Sequence, residues 1–155
     1  MADKPISLRG VFTPIVTSFD QSGDVAHDKM ASNLEKWNQT GLSGYIVLGS
    51  NGEWVYLDEK ERRAVLENTR QAIPQDKLMI AGTAAESTGH TIRLTEEAAK
   101  IGADGAIIVN PNYYKSQMTA PVLTDFYTAV ADASPIPIMI YNLPPATGMD
   151  LPADL

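Results

Sequence analysis

The 155-residue sequence predicts a parallel α/β fold, and three observations predict it. Five short apolar runs rich in Ile and Val read as strands buried on both faces. A pattern of helical period separates each run from the next. Successive runs begin 28 to 34 residues apart, the length of one strand-helix unit, with no sequence repeat to accompany the interval. Strict alternation implies parallel strands joined by right-handed crossovers, and two architectures satisfy it: the open doubly wound sheet and the closed (β/α)8 barrel. Spacing alone does not separate them. Eight units at this interval need about 250 residues, so a barrel reading of residues 1–155 is of the N-terminal part of one domain. It is truncated to about five strands and four helices, without strands six to eight.

The first run, Val11 to Val16, contains Pro14, which is awkward in a buried strand. Met30, Leu34 and Trp37 then share one face of a helix, with Gly41 placed to cap it. Tyr45 to Leu48 is the second strand. Asp58 with Glu61 three residues on forms a capping box for a second helix, which carries Val65, Leu66 and Thr69 and stops before Pro74. Leu78 to Ala81 is strand three. A third helix runs from about Ser87 to Gly102, Ala106 to Val109 is strand four, a fourth helix opens at Thr119, and Ile136 to Ile140 is strand five.

Composition excludes several classes of function. With no cysteine there is no disulfide framework, thiolate nucleophile or cysteine zinc site. Nineteen acids against twelve bases give a net charge of -7 without a basic run, which argues against nucleic acid as a partner. No apolar stretch approaches the roughly 20 residues that cross a bilayer. Met1 to Ser7 lacks the apolar core of a signal peptide and carries Asp3 where a transit peptide avoids acids, so a cytoplasmic location is expected. His27 and His90 have no second ligand at a metal spacing, and no metal is expected.

In either architecture ligands bind at the carboxyl ends of the strands, so the loops after each run are the ones that carry chemistry. Gly49-Ser50-Asn51-Gly52-Glu53 follows strand two, and its small residues let backbone N–H groups approach an anion such as a carboxylate. The loop lacks the lysine of a P-loop and the glycine order of a dinucleotide fingerprint, and a purely structural turn is the alternative. Gly82-Thr83 reads as a structural turn. Asn110-Pro111-Asn112-Tyr113-Tyr114-Lys115 and Tyr141-Asn142-Leu143-Pro144-Pro145-Ala146-Thr147-Gly148 place tyrosines at the ligand end. Tyr141 and Tyr113 are candidate acid-base residues, with aromatic packing at a barrel mouth as the alternative. Trp37 reads as core, Trp54 as packing beside the strand-two loop, and the charges from Asp58 to Arg63 as a solvated helix start.

Along nearly its whole length the sequence resembles the dihydrodipicolinate synthase and N-acetylneuraminate lyase superfamily, pyruvate-handling class I aldolases on a (β/α)8 barrel. The resemblance rests on Gly10-Val11-Phe12-Thr13-Pro14-Ile15-Val16-Thr17, the Gly49 to Glu53 loop, Pro111 with Tyr113 and Tyr114, and Tyr141-Asn142 with Pro144, Thr147 and Gly148. It accounts for Pro14, which the family shares. It implies that Gly49, Ser50 and Asn51 bind the pyruvate carboxylate, that Ser50 joins a proton relay with the tyrosines, and that Tyr141 is the main acid-base residue. Tyr113 aligns with a tyrosine that reaches into an adjacent subunit's site, which implies a homo-oligomer, a dimer or tetramer.

The resemblance further implies cofactor-free catalysis in which a lysine forms a Schiff base with the keto group of pyruvate. That lysine belongs to strand six, beyond Leu155. Of the seven lysines Lys4, Lys29, Lys36, Lys60, Lys77, Lys100 and Lys115, only Lys115 lies on a ligand-end loop, so the chain alone is expected to be inactive. Ala146 stands where dihydrodipicolinate synthases carry an arginine for the second substrate's carboxylate. The Gly-Ser-Asn-Gly-Glu and Asn-Tyr-Tyr forms are closer to 4-hydroxy-2-oxoglutarate aldolases and related sugar-acid aldolases. Cleavage of a 2-keto-4-hydroxy acid to release pyruvate is therefore expected. The alternatives are dihydrodipicolinate synthase-type condensation, a non-catalytic half-barrel that associates with a complementing second half through its open edges, and a self-contained doubly wound domain binding a small anion.

Overall fold

A computed structural model describes residues 6–153; the reading of Met1 to Pro5, the placement of Lys4 and the position of Leu155 lie outside the described residues. The elements run β1 (Phe12–Pro14), α1 (His27–Asn38), β2 (Gly44–Val47), α2 (Glu59–Ala72), β3 (Leu78–Gly82), α3 (Thr88–Ile101), β4 (Gly105–Val109), α4 (Ala120–Ala133), β5 (Ile138–Tyr141) and a single turn, α5 (Pro144–Thr147). Short 3-10 turns at Ser50–Gly52, Trp54–Tyr56 and Lys115–Gln117 sit in the loops after β2 and β4.

The strands pair in parallel in the order β1-β2-β3-β4-β5. Strand order decides between the two architectures. A doubly wound sheet reverses direction at a switch point so that helices cover both faces, whereas here every strand pairs with the next in sequence. Consecutive helices pack on one another, α1 on α2, α2 on α3 and α3 on α4. This is the wall of a (β/α)8 barrel, and the doubly wound reading is corrected.

Register sorts the side chains into two faces, because paired residues on neighbouring parallel strands point the same way. Tyr45 with Met79, and Val47 with Ala81, Ala106 and Ile138, face the helices. There they join Met30 and Leu34 of α1, Val65 and Leu66 of α2, and Phe126, Tyr127 and Val130 of α4 in the core. The opposite face carries Pro14, Ile46, Ile80 and Gly105 in one row and Gly82, Ile107 and Met139 in the next. Gly44 is bare because a Cβ there would lie 2.7 Å from the Phe12 ring.

The capping box forms as read: Asp58 Oδ1 accepts from Glu61 N and Glu61 Oε2 from Asp58 N, both at 2.8 Å. Gly102 ends α3 with φ 105°. Boundaries differ from the sequence reading by one residue in β2, β3 and β4 and by more elsewhere, β5 running Ile138–Tyr141 rather than Ile136 to Ile140. β1 spans only Phe12–Pro14, and Val11 and Val16 are exposed. Ile15 N donates to Ile46 O at 2.9 Å, so alternation turns the nitrogen of Pro14 away from β2 and the proline removes no bond from that pairing. α1 ends at Asn38 rather than near Gly41, because Gln39 in right-handed geometry and the Thr40 hydroxyl take over its last carbonyls. The Pro144-Pro145 loop winds into α5, whose first turn tolerates proline.

Candidate active site

A small cleft opens at the carboxyl ends of β2 to β5, lined by Leu48, Gly49, Ser50, Trp54, Gly82, Ala84, Ile107, Val109 and Tyr141. Its floor is apolar, and Ser50 and Tyr141 are the hydroxyl-bearing residues of its lining. The backbone that delivers Ser50 is strained: Leu48 has φ 60° and Glu53 has φ 53°, left-handed values for side chains that disfavour them. Leu48 is held in that conformation by burial and by Gly82, whose missing Cβ would lie 2.7 Å from the Leu48 carbonyl carbon. On the other side, Thr17 Oγ1 donates to Gly52 O at 2.6 Å and closes the turn.

Trp54 forms a wall of the cleft, with the Arg62 guanidinium 4.9 Å from its ring centre. Burial lowers the pKa of Arg62, opposed by the nearby charges of Glu59 and Asp58. Trp54 was expected to pack beside this loop, but nothing local in the sequence marked Leu48 or Gly82 as parts of the site. A carbonyl pressed against a glycine on the next strand becomes visible only once the strands are in register.

The structure thus brings Gly49, Ser50 and Tyr141 together and leaves Asn51 and Tyr113 outside the cleft. Asn51 lies on the exposed side of the turn. Tyr113 is 76% exposed and meets Tyr114 edge-on at 4.9 Å between ring centres. Among the described residues no hydrogen bond links Ser50 to either tyrosine. Thr83 turns away from the cleft, its hydroxyl 2.8 Å from that of Thr95 on α3.

None of the described lysines lines the cleft. Lys77 is buried at the opposite end of the sheet, donating to Thr40 O and Leu42 O at 3.1 and 2.6 Å. The Lys115 side chain runs against Gly148, on the loop after β5. His90 Nε2 lies 2.9 Å from Glu59 Oε1 on α2. No helix among the described residues is long and apolar enough to cross a membrane.

A barrel-type parallel sheet with a hydroxyl and a phenol on one cleft at its carboxyl end defines an α/β protein of the kind that carries small-molecule chemistry on its βα loops. Residues 7–155 match the Dihydrodipicolinate synthetase family, and the chain belongs to that family. It is 40% identical to a protein of Emericella nidulans named probable 4-hydroxy-2-oxoglutarate aldolase, mitochondrial, over 99% of this chain and 51% of that one. It is 38% identical to an L-threo-3-deoxy-hexylosonate aldolase of Aspergillus niger, over 94% and 46%. Among solved structures, a dihydrodipicolinate synthase of Acinetobacter baumannii complexed with pyruvate superposes with a TM-score of 0.90 at 32% identity, covering 96% of this chain and 50% of that one. The chain spans about half the length of the curated relatives it matches.

Proposed function

We propose that residues 1–155 are the N-terminal part of a single barrel domain of a class I aldolase that cleaves 4-hydroxy-2-oxo acids and releases pyruvate. 4-Hydroxy-2-oxoglutarate or a 2-keto-3-deoxy sugar acid is the substrate. The observation that carries this reading is the convergence of Ser50 and Tyr141 on one apolar-floored cleft in a chain of this family. The Ser50 hydroxyl and the neighbouring backbone amides, those of Gly49 and Asn51, hold the carboxylate of the keto acid. A lysine amine condenses with the keto carbon, expelling water. The C4 hydroxyl then gives up its proton as the C3–C4 bond breaks, and the aldehyde leaves. The resulting enamine takes a proton at C3, and water releases pyruvate and restores the amine. Tyr141 moves the proton. Tyr113, exposed as a residue serving a neighbouring subunit would be, acts across a homo-oligomer interface.

The resemblance assigns that lysine to strand six, outside residues 1–155, so a polypeptide of these residues alone is expected to form no Schiff base unless the rest of the barrel is supplied. Borohydride trapping with pyruvate, followed by intact and peptide mass analysis, tests this. No adduct is expected on the chain alone, and an adduct on the partner polypeptide is expected when the two are combined. A stoichiometric adduct on the isolated chain would move the nucleophile to a lysine here, with Lys115 the first to examine. Failure of the combined halves both to trap pyruvate and to cleave 4-hydroxy-2-oxoglutarate would falsify the aldolase reading.

A second reading is an association module without catalysis, whose inner sheet face packs against the rest of a barrel. It predicts tight binding of the complementing half with no trapping by pyruvate. Cytoplasmic location belongs to the same proposal, and fractionation of the native protein checks it.

A further inference from the structure

We propose that Glu86 is a positioning residue that sets the direction of Tyr113, an inference that rests on the aldolase reading for Tyr113's role. Glu86 lies in the loop between β3 and α3, outside the cleft. One of its carboxylate oxygens, Oε2, accepts from Asn112 N and from Tyr113 N, each at 3.0 Å. Two successive amides converging on one oxygen form a small anion-binding nest, here filled by the chain's own carboxylate. Hydrogen bonds to an ionised acceptor are roughly twice as strong as neutral ones.

The other hydrogen bonds of this loop are made within it. Asn112 Nδ2 donates to Asn110 O at 3.3 Å, Asn110 Nδ2 to Pro111 O at 3.0 Å, and Gln117 N to Tyr114 O at 2.9 Å. Those bonds shape the loop without fixing it to the sheet. Glu86 joins it to the neighbouring βα loop.

Packing does not perform that task for Tyr113. Its ring is mostly exposed and touches Tyr114, itself exposed. With no core to hold the ring, its direction follows from the backbone at 112 and 113, which Glu86 grips. Displacements of about 1 Å at a reacting group can cost on the order of a hundredfold in rate, so an anchor on this backbone controls turnover without touching substrate. Glu86 sits 26 and 27 residues from its partners, and no local pattern in the sequence connects them.

The test uses Glu86→Ala and Glu86→Gln. Amide hydrogen exchange on the 155-residue chain is expected to quicken about tenfold or more at Asn112 and Tyr113 in the alanine variant. Glutamine retains an acceptor oxygen and is expected to restore most of the protection. In the chain combined with its complementing half, Glu86→Ala lowers kcat for 4-hydroxy-2-oxoglutarate about tenfold with KM unchanged, and Glu86→Gln recovers most of it. Unchanged exchange overturns the proposal. So does faster exchange with a wild-type kcat, which would leave Glu86 a structural tie alone. If the wild-type assembly cleaves no 2-oxo acid, the aldolase reading itself has failed and this role falls with it; an active wild type beside an unaffected variant removes Glu86 and leaves the reading standing.

Discussion

The two faces of the sheet are built from similar residues and treated oppositely. On the helix side of β2 to β4, Tyr45, Val47, Met79, Ala81, Ala106 and Ile108 are all 0% exposed, whereas on β5 Ile138 is partly buried and Ile140 is exposed. Across the same strands Ile46, Ile107, Val109, Met139 and Tyr141 are only partly buried. Ile80 is the inner-face exception, closed over where Ile6 approaches Gly105 beside it. The helix side is closed by the chain's own helices; the inner face is the one that the remaining strands of a (β/α)8 barrel pack against, and only its carboxyl end carries the cleft.

The largest expected effect breaks chemistry without touching stability. Tyr141→Phe in the complemented assembly should slow turnover by about 100-fold to 10,000-fold, while urea denaturation of the chain changes by less than about 0.5 kcal/mol. Wild-type turnover would take Tyr141 out of the mechanism. Next, two methionines on opposite faces provide a matched pair. Met79→Ala should cost about 2–5 kcal/mol through the cavity it leaves, and Met139→Ala under about 1 kcal/mol because its site is already open. Equal midpoints in urea would erase the distinction between the faces.

Gly82→Ala probes where the faces meet the loop. The added methyl meets the Leu48 carbonyl, backbone that cannot rotate away, and about 1–3 kcal/mol of destabilisation is expected. The amide NMR signals of Gly49 and Ser50 should move with it; a variant with both unchanged would show that the strained turn has more freedom than its geometry implies. The smallest effect lies deep on the helix side. Tyr127 donates to Ile108 O at 3.3 Å, and burial raises its pKa well above the ordinary phenol value. The folded chain thus keeps this proton where the unfolded chain loses it. The stabilisation is complete below pH about 10 and lost progressively as pH rises beyond. Tyr127→Phe should cost about 1 kcal/mol at neutral pH and flatten the alkaline decline. A decline of unchanged steepness would assign it to other groups, with Tyr45, also raised by burial, the first to test.

What could be read in the sequence was local. The capping box of Asp58 and Glu61, the glycine after α3 and the alternation of strand and helix depend on residues a few positions apart, and the structure reproduces them. The end of α1 was misplaced by a glycine in a plausible capping position, because the hydroxyl of Thr40 competes for the same carbonyls. Ser50 and Tyr141, singled out by residue type at the strand ends, fall on one cleft, while their roles belong to the proposal and the supports of the turn carry no such mark. Leu48 carries no mark of a left-handed backbone, since its conformation comes from burial and from Gly82 on the next strand. Spacing left two architectures open, and strand order closed the question.

That order has a consequence for how the chain acquires its structure. Each strand pairs with the one synthesised just before it, so no pairing in the sheet waits for a distant segment. Loop closure for each new strand spans about one βα unit, a modest entropic cost. A nascent chain leaving the ribosome at about 5–20 residues per second could therefore extend the sheet one unit at a time, with Ile140, half-exposed on β5, standing at the growing edge.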